Sequence, residues 1–490
     1  MAILHPDLRN KEFWYNDIIL LCNNLPDFER EEVDLSTQLS RNIRLKTPFA
    51  SSPMDTVTDA SMAILLALMG GIGTIHYNYE TIEEQMAEVK KVKRFEAAFV
   101  KKPVVLGPKN TVGDIYQIAR KFGFYSVPIT QDGTLKGKLV GIVTHRDVRY
   151  YETPKQMKIP LAKIMTPKEK LITASKKETL DKNDVRAANK VIRKHNLDTL
   201  PIVDDNFRLV ALVTDSDIQK NEKYPLATKD ENKQLKVLIA VESRISLARE
   251  RIQKGIEVGV DGIVIDASVV FKEQLEIAKE TKKNFPKLEV ILGNIDSGKM
   301  VEEIVKEAGQ WVDALRVGIG PGAACVTQEY LGVGRAQASA VWDCSQAAKK
   351  LKKSGFIIPI IADGGIKKPA DIIKALALGA QTVMMGSMLA GLEESPGEEE
   401  FDEELGYMVK KYRGMGSLEA MAKRGAVRYG IEKTSIKIPE GKVIKVGYKG
   451  SGYILLPKLI AAVKQGLQKL GSKNISSLQE TTEIRPNKLF

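Results

Sequence analysis

Cysteine is scarce. The 490 residues hold three, Cys22, Cys325 and Cys344, at wide spacing. That number and spacing build neither a disulfide framework nor a metal cluster. They imply a reducing, cytoplasmic compartment, where a free thiol survives. Aromatic residues make up only 6%, and no cluster of them is interleaved with basic residues, as a stacking platform for single-stranded nucleic acid requires. No apolar run reaches membrane-span length, and residues 1–10 lack the charged-then-apolar layout of a secretory signal. The net charge of +12 suits anionic partners such as nucleotides or RNA. The lysines are nevertheless scattered and read as solvated helix faces, so nucleic acid is not the expected partner. Apolar residues reach 43%, enough for a large core: two or three domains, or one barrel carrying an insertion.

A thiol stands out against this background. Cys325 closes the segment Arg316-Val317-Gly318-Ile319-Gly320-Pro321-Gly322-Ala323-Ala324-Cys325. The apolar stretch before it reads as a buried strand ending at Val317. The glycines that follow allow a tight turn, close approach to a ligand, or carbonyls aimed at a cation. A sulfur nucleophile in that position reaches a substrate lying across the mouth of a strand.

Between about Val100 and Glu222 the chain repeats itself. Val140-Gly141-Ile142-Val143-Thr144-His145-Arg146-Asp147-Val148 matches Val210-Ala211-Leu212-Val213-Thr214-Asp215-Ser216-Asp217-Ile218, and Val127-Pro128-Ile129 matches Leu200-Pro201-Ile202. Two copies at one spacing indicate a duplicated module. The pair resembles tandem cystathionine-β-synthase (CBS) modules, together a Bateman domain. The resemblance implies purine nucleotides such as ATP or GTP as regulatory ligands, with Asp147 and Asp217 on the ribose hydroxyls. Both aspartates would also serve as helix N-caps.

Outside the repeat, short apolar runs alternate with amphipathic helical stretches. Ile263–Asp266, Val290–Asn294, Ala314–Val317, Pro359–Asp363 and Thr382–Gly386 each look buried, and several end in a polar residue or glycine. This βα alternation predicts a parallel sheet, closed as a (β/α)8 TIM barrel with functional groups at the C-terminal strand ends. The fold class expected is α/β: a TIM barrel with an inserted α+β tandem CBS domain. The expected boundaries are 1–99 and 223–477 for the barrel, 100–222 for the insert and 478–490 for a flexible tail. Asp363-Gly364-Gly365 and Gly386-Ser387 close two late strands with amides suited to a phosphate.

Taken together, these motifs resemble the inosine-5′-monophosphate (IMP) dehydrogenase family and its close relative GMP reductase. The matching segments include Ser51–Thr58, Gly70–His76, the Cys325 loop, Ile361–Ile366, Met385–Ala390, Glu394–Glu398, Tyr412–Ser417 and Arg428-Tyr429. The resemblance implies oxidation of IMP at C2 with NAD, Cys325 being the covalent nucleophile. Thr327, Arg428 and Tyr429 would activate the hydrolytic water, Arg428 as base on a mobile flap. Asp363 would hold the ribose; Gly365, Gly386, Ser387 and Tyr412 the phosphate; Ser52, Met54, Met415, Gly416 and Glu440 the base and its approach. Asp266, Ser268, Asn294 and Arg316 would lie on the NAD side. Carbonyls of Gly320, Gly322 and Cys325 would bind K+. The family forms tetramers through the barrel and octamers through the paired modules.

The chain departs from the family pattern in places. Ala323 replaces a serine, Asp266-Ala267-Ser268-Val269-Val270 lacks a hydroxyl and a glycine, and Leu292 stands where glycine is customary. Three readings therefore stay open: an IMP dehydrogenase; a GMP reductase using NADPH; or a nucleotide-sensing assembly protein with weak catalysis.

Overall fold

The computed structural model describes residues 2–8, 11–95, 103–122, 124–181, 185–214, 224–429, 436 and 438–487. By internal contacts the chain divides into two compact units. One comprises residues 1–95, 226–230 and 235–490, the other residues 96–225 and 231–234.

The first unit is an eight-stranded parallel barrel. Its strands are β1 (Phe49–Ser51), β2 (Gly73–Ile75), β3 (Val237–Val241), β4 (Gly262–Asp266), β5 (Glu289–Ile295), β6 (Ala314–Val317), β7 (Ile360–Asp363) and β8 (Thr382–Met385). Neighbours pair in the order β1-β8-β7-β6-β5-β4-β3-β2. A parallel bridge between Ala50 and Ile72 joins the two ends and closes the ring. The strands read as continuous apolar runs because both faces are covered: Val237–Val241 and Gly262–Asp266 are buried at every position. The helices that follow the strands are α1 (Ala60–Leu68), α2 (Ile82–Phe95), α3 (Ile245–Glu257), α4 (Lys272–Asn284), α5 (Gly298–Ala308), α6 (Gln337–Lys353), α7 (Pro369–Ala377) and α8 (Gly452–Lys469). Polar caps set several starts. Asp59 accepts from the amides of Ser61 and Met62, and Ser297 from that of Met300.

Ala50, Ile72, Leu238, Val264, Ile291, Ala314, Ile361 and Met384, one from each strand or its start, fill the barrel with Leu39, Ile43 and Leu45. The last three come from the short hairpin Thr37–Gln38/Arg44–Leu45. Ser40 and Asn42 in that hairpin bond to Glu289 at the start of β5, so the hairpin plugs the N-terminal end. Each large apolar side chain buried there contributes roughly 1.5–3 kcal/mol. Chemistry is left to the opposite, C-terminal end.

Beyond β8 the chain adds an antiparallel sheet of Glu399–Asp402, Tyr407–Arg413 and Val443–Gly447. The expectation of a flexible tail from 478 does not hold for its described part. Leu478 lies in the helix Ile475–Thr481, and Glu483–Pro486 is the central strand between Ile3–Leu4 and Ile18–Leu21. Its partners lie at the far N-terminus, so the local sequence gives no sign of them.

In the second unit the repeat takes matching forms. Val127–Thr130 pairs antiparallel with Leu139–Val143, and Thr199–Val203 with Leu209–Thr214. Both pairs shift register at the same place in the repeat, after Ile129 and after Ile202. Leu139, Val203, Leu209 and Leu212 form an apolar cluster joining the two halves. Asp147 is not the N-cap: Thr144 is, and the Asp147 carboxylate at the third helical position accepts from the Thr144 amide and hydroxyl. Asp217 lies outside the described residues. No described helix is long and apolar enough to cross a membrane.

Candidate active site

The C-terminal strand ends open into a cleft of about 880 Å³, including its open mouth. Of the residues singled out in the sequence, Ser52, Met54, Ser268, Asn294, Arg316, Gly320, Gly322, Cys325, Thr327, Asp363, Gly365, Gly386, Ser387, Tyr412, Met415, Arg428 and Glu440 all line it. They come from the ends of β1 and β4 to β8, where most of them end or follow a strand, and from the segments after β8 that carry Tyr412, Met415, Arg428 and Glu440.

Cys325 leaves β6 through a loop in which Gly318 and Gly320 have φ of +146° and +85°, values a side chain would resist. The loop is pinned where the Cys325 amide donates to the Gly322 carbonyl at 2.9 Å and the Lys442 amide to the Ala324 carbonyl at 2.9 Å. Cys325 Sγ lies 3.2 Å from Thr327 Oγ1, which donates to Glu440 Oε2 at 2.7 Å. A carboxylate only accepts, so the single Thr327 proton points at Glu440 and the Cys325 thiol is the donor to Thr327. Glu440 is fixed in turn, its amide donating to the Gly416 carbonyl and its own carbonyl accepting from Val326. Gly416, expected to line the base, does not line the cleft; its carbonyl takes the Glu440 and Gly441 amides.

Across the cleft floor runs a buried charge network. Arg316, 1% exposed, donates to Asp266 at 2.9 Å and to Asn294, and stands 3.3 Å from Asp363. Asn294 donates to Asp363 at 3.0 Å and to the Gly318 carbonyl at 2.7 Å. Burial pulls the Arg316 guanidinium's pKa down, and Asp363 opposes it. Asp266 does not itself line the cleft. It sits beneath, fully buried, and receives the Arg428 guanidinium as well as Arg316. Arg428 is thus an ion-paired cation, and its carbonyl accepts from Ser268 at 3.0 Å. Tyr429 ends the turn Gly425–Tyr429, and its side chain lies outside the described part.

On the β7–β8 side, Asp363 accepts from Ser52 at 3.5 Å. Tyr412 hydroxyl lies 3.6 Å from Met54 Sδ. Its pKa is raised by burial, with Asp363 and Cys325 adding to the effect. A Cβ at Gly386 would meet that hydroxyl at 2.7 Å, so only glycine leaves the cleft open beside it. Gly364, Ile319, Pro321 and Met384 also line the cleft. Gly364, Ile319 and Pro321 lie inside motifs read in the sequence, and Met384 lies inside the apolar run Thr382–Gly386, which marks burial but not contact with the cleft.

A family model described as IMP dehydrogenase / GMP reductase domain matches residues 12–487. The chain belongs to that family. The Schizosaccharomyces pombe inosine-5′-monophosphate dehydrogenase is 43% identical over 96% of this chain and 87% of that relative. The Toxoplasma gondii inosine-5′-monophosphate dehydrogenase is 40% identical, over 95% and 90%. Among solved structures, Trypanosoma brucei GMP reductase in complex with guanosine 5′-monophosphate superposes with a TM-score of 0.86 at 29% identity, covering 99% of this chain and 97% of that one. The same enzyme with guanosine 5′-triphosphate gives 0.78 at 26%, covering 98% of both.

Against the family pattern, the departures fall in different places. Leu292 is fully buried in β5 between Ile265 and Leu315, where it packs the barrel wall. Ala267 is fully buried beside Asp266, and Ala323 lines the cleft.

Proposed function

We propose that this chain is an NAD-dependent IMP dehydrogenase, converting IMP to xanthosine 5′-monophosphate for guanine nucleotide biosynthesis. The observation that carries this reading is Arg428, the water-activating group of this family resemblance, lining the same cleft as Cys325. A reductase must exclude water from its covalent intermediate and has no use for such a group. The curated relatives at 40–43% identity, all dehydrogenases, support the same choice.

In this reading the IMP phosphate lies against the backbone of Gly365, Gly386 and Ser387 with the Tyr412 hydroxyl. The ribose diol lies on Asp363, whose carboxylate Ser52 and Asn294 orient. Cys325 Sγ attacks C2, its proton passing toward Thr327 and Glu440. NAD, when bound, accepts the hydride that leaves C2. Of the residues read for the NAD side, Ser268, Asn294 and Arg316 line the cleft and would hold it, Arg316 with Nε and Nη1 buried without a partner, while Asp266 lies beneath and would act through Arg316. Water then adds to the thioimidate at C2, a proton is taken from it, and the C–S bond breaks to return Cys325 as thiolate. For Arg428 to act there as base, its pairing with Asp266 must loosen and the site must stay closed to bulk water.

Carbonyls of Gly320, Gly322 and Cys325 are neutral hard donors suited to K+, which would order the Cys325 loop. Among the described residues, no group of three or more acidic, histidine or cysteine side chains is placed for a metal ion. The duplicated unit is read as a Bateman module binding purine nucleotides, Asp147 contacting a ribose. The triphosphate complex of the trypanosomal relative supports a guanine nucleotide. Tetramers through the barrel, octamers through the modules and a cytoplasmic location follow from the family resemblance.

A GMP reductase is the second reading, favoured by the solved relatives and by the altered loop after Asp266. The test is NADH formation from IMP and NAD with K+ present, beside NADPH consumption with GMP. Product only in the first supports the dehydrogenase; NADPH loss alone overturns it.

A further inference from the structure

Every strand end from β2 to β4 holds the segment leading to Arg428, at Arg424, Val427 or Arg428 itself. After β2, the Asn78 side-chain oxygen accepts the Arg424 amide at 2.8 Å, and the Glu80 carbonyl accepts from the Arg424 guanidinium at 3.2 Å. After β3, Glu242 takes the same guanidinium at 3.4 Å, and Ser243 donates to the Val427 carbonyl at 3.1 Å. After β4, Ser268 holds the Arg428 carbonyl. None of Asn78, Glu242 and Arg424 lines the cleft of Cys325.

The Asn78 anchor is rigid. Asn78 is 2% exposed, its Nδ2 donates to Asp55 at 2.6 Å, and its amide donates to His76 Nδ1 at 3.0 Å. Asp55 is in turn gripped by Arg413 through two nitrogens. An ionised carboxylate accepts only, so Nδ2 must face Asp55 and the oxygen must face the Arg424 amide. Glu242, 1% exposed, is likewise locked by a two-pronged pair with Arg251. Arg424 meets groups that cannot turn away.

We propose that Arg424 and Asn78 are positioning residues: a latch, four residues ahead of Arg428, that sets where the Arg428 guanidinium arrives in the cleft. The proposal rests on the dehydrogenase reading. There, hydride transfer needs Cys325 and the bound nucleotides, while hydrolysis needs Arg428 in place. A latch acting through Arg428 slows the second step and spares the first.

The experiment is rapid-mixing NADH formation with IMP and NAD for the full-length wild type, Arg424→Ala, Arg424→Lys and Asn78→Ala. The Arg424 side chain is one-third exposed, so its loss leaves the core intact. Expected for Arg424→Ala and Asn78→Ala is a first-turnover burst within about twofold of wild type and a steady-state kcat lower by about tenfold, with KM for IMP falling alongside so that kcat/KM is unchanged. Arg424→Lys, which keeps a charge for Glu242, should recover part of the rate. Burst and steady state falling together, or variants equal to wild type, would overturn the latch while leaving the dehydrogenase standing. A wild type that forms no NADH from IMP overturns both.

Discussion

Thr327 gives its hydroxyl proton to Glu440, 2.7 Å away, and so meets the Cys325 thiol as an acceptor. The two residues are 113 positions apart, yet together they decide which way a proton leaves the sulfur. A nucleophile beside an acceptor that is itself held by a carboxylate is the geometry of an activated thiol.

Removing the sulfur isolates its role. Cys325→Ala should lower turnover by about 10³-fold or more while calorimetry still finds IMP bound near its wild-type affinity. A rate within tenfold of wild type would take Cys325 out of the chemistry.

Changing the carboxylate tests the proton path. Glu440→Gln keeps an oxygen for the Thr327 proton and should cost less than about threefold in kcat; Glu440→Ala should cost about tenfold, near 1.4 kcal/mol in the barrier. Equal losses in steady-state assays of the two variants would mean that the acceptor at this position does not matter.

Asp266 pairs with two guanidiniums, those of Arg316 and Arg428. Asp266→Ala should leave Asp363, at 3.3 Å, as the one carboxylate against buried Arg316 among the described residues, and destabilise the fold by roughly 3 kcal/mol. Adding Arg316→Met should return part of that loss, since the uncompensated charge goes with it. Chemical denaturation of the single and double variants decides this, and a double variant weaker than the single would contradict it.

His76 gives a pH signature. It is 4% exposed, and burial lowers its pKa from 6.5 to about 4; Lys423, Arg413 and Arg251 push the same way, and Asp55 opposes. Between those values the unfolded chain takes up a proton that the folded chain refuses. Stability from His76 is therefore whole above 6.5 and is lost as pH falls toward 4, on the order of 3 kcal/mol in all. Urea unfolding across that range should show a shallower acid slope for His76→Gln than for wild type; matching slopes would remove His76 as the cause.

Much of the barrel was legible because its signals are local. A buried parallel strand is an apolar run of four to seven residues, and Gly262–Asp266 or Ala314–Val317 announces itself that way. The Cys325 loop was legible because glycines must stand where φ is positive. The grips on the segment leading to Arg428 were not. Arg424 and Asn78 are 346 residues apart, and Asp266 and Arg428 are 162 apart; no periodicity links them. Gly416 misled because its motif borders the cleft while its carbonyl turns toward Glu440. The terminal strand misled because Glu483–Pro486 is polar or proline at three of four places, and only its partners at Ile3–Leu4 and Ile18–Leu21 make it a strand.

The hairpin side chains Leu39, Ile43 and Leu45 cork the far end of the barrel. That end is therefore spent on holding the barrel together, with Glu289 bonded to the hairpin and apolar side chains filling the bore. Substitutions in the loops at the C-terminal strand ends can reshape the cleft without touching this packing, so the barrel separates the residues that keep it folded from those that can vary its chemistry.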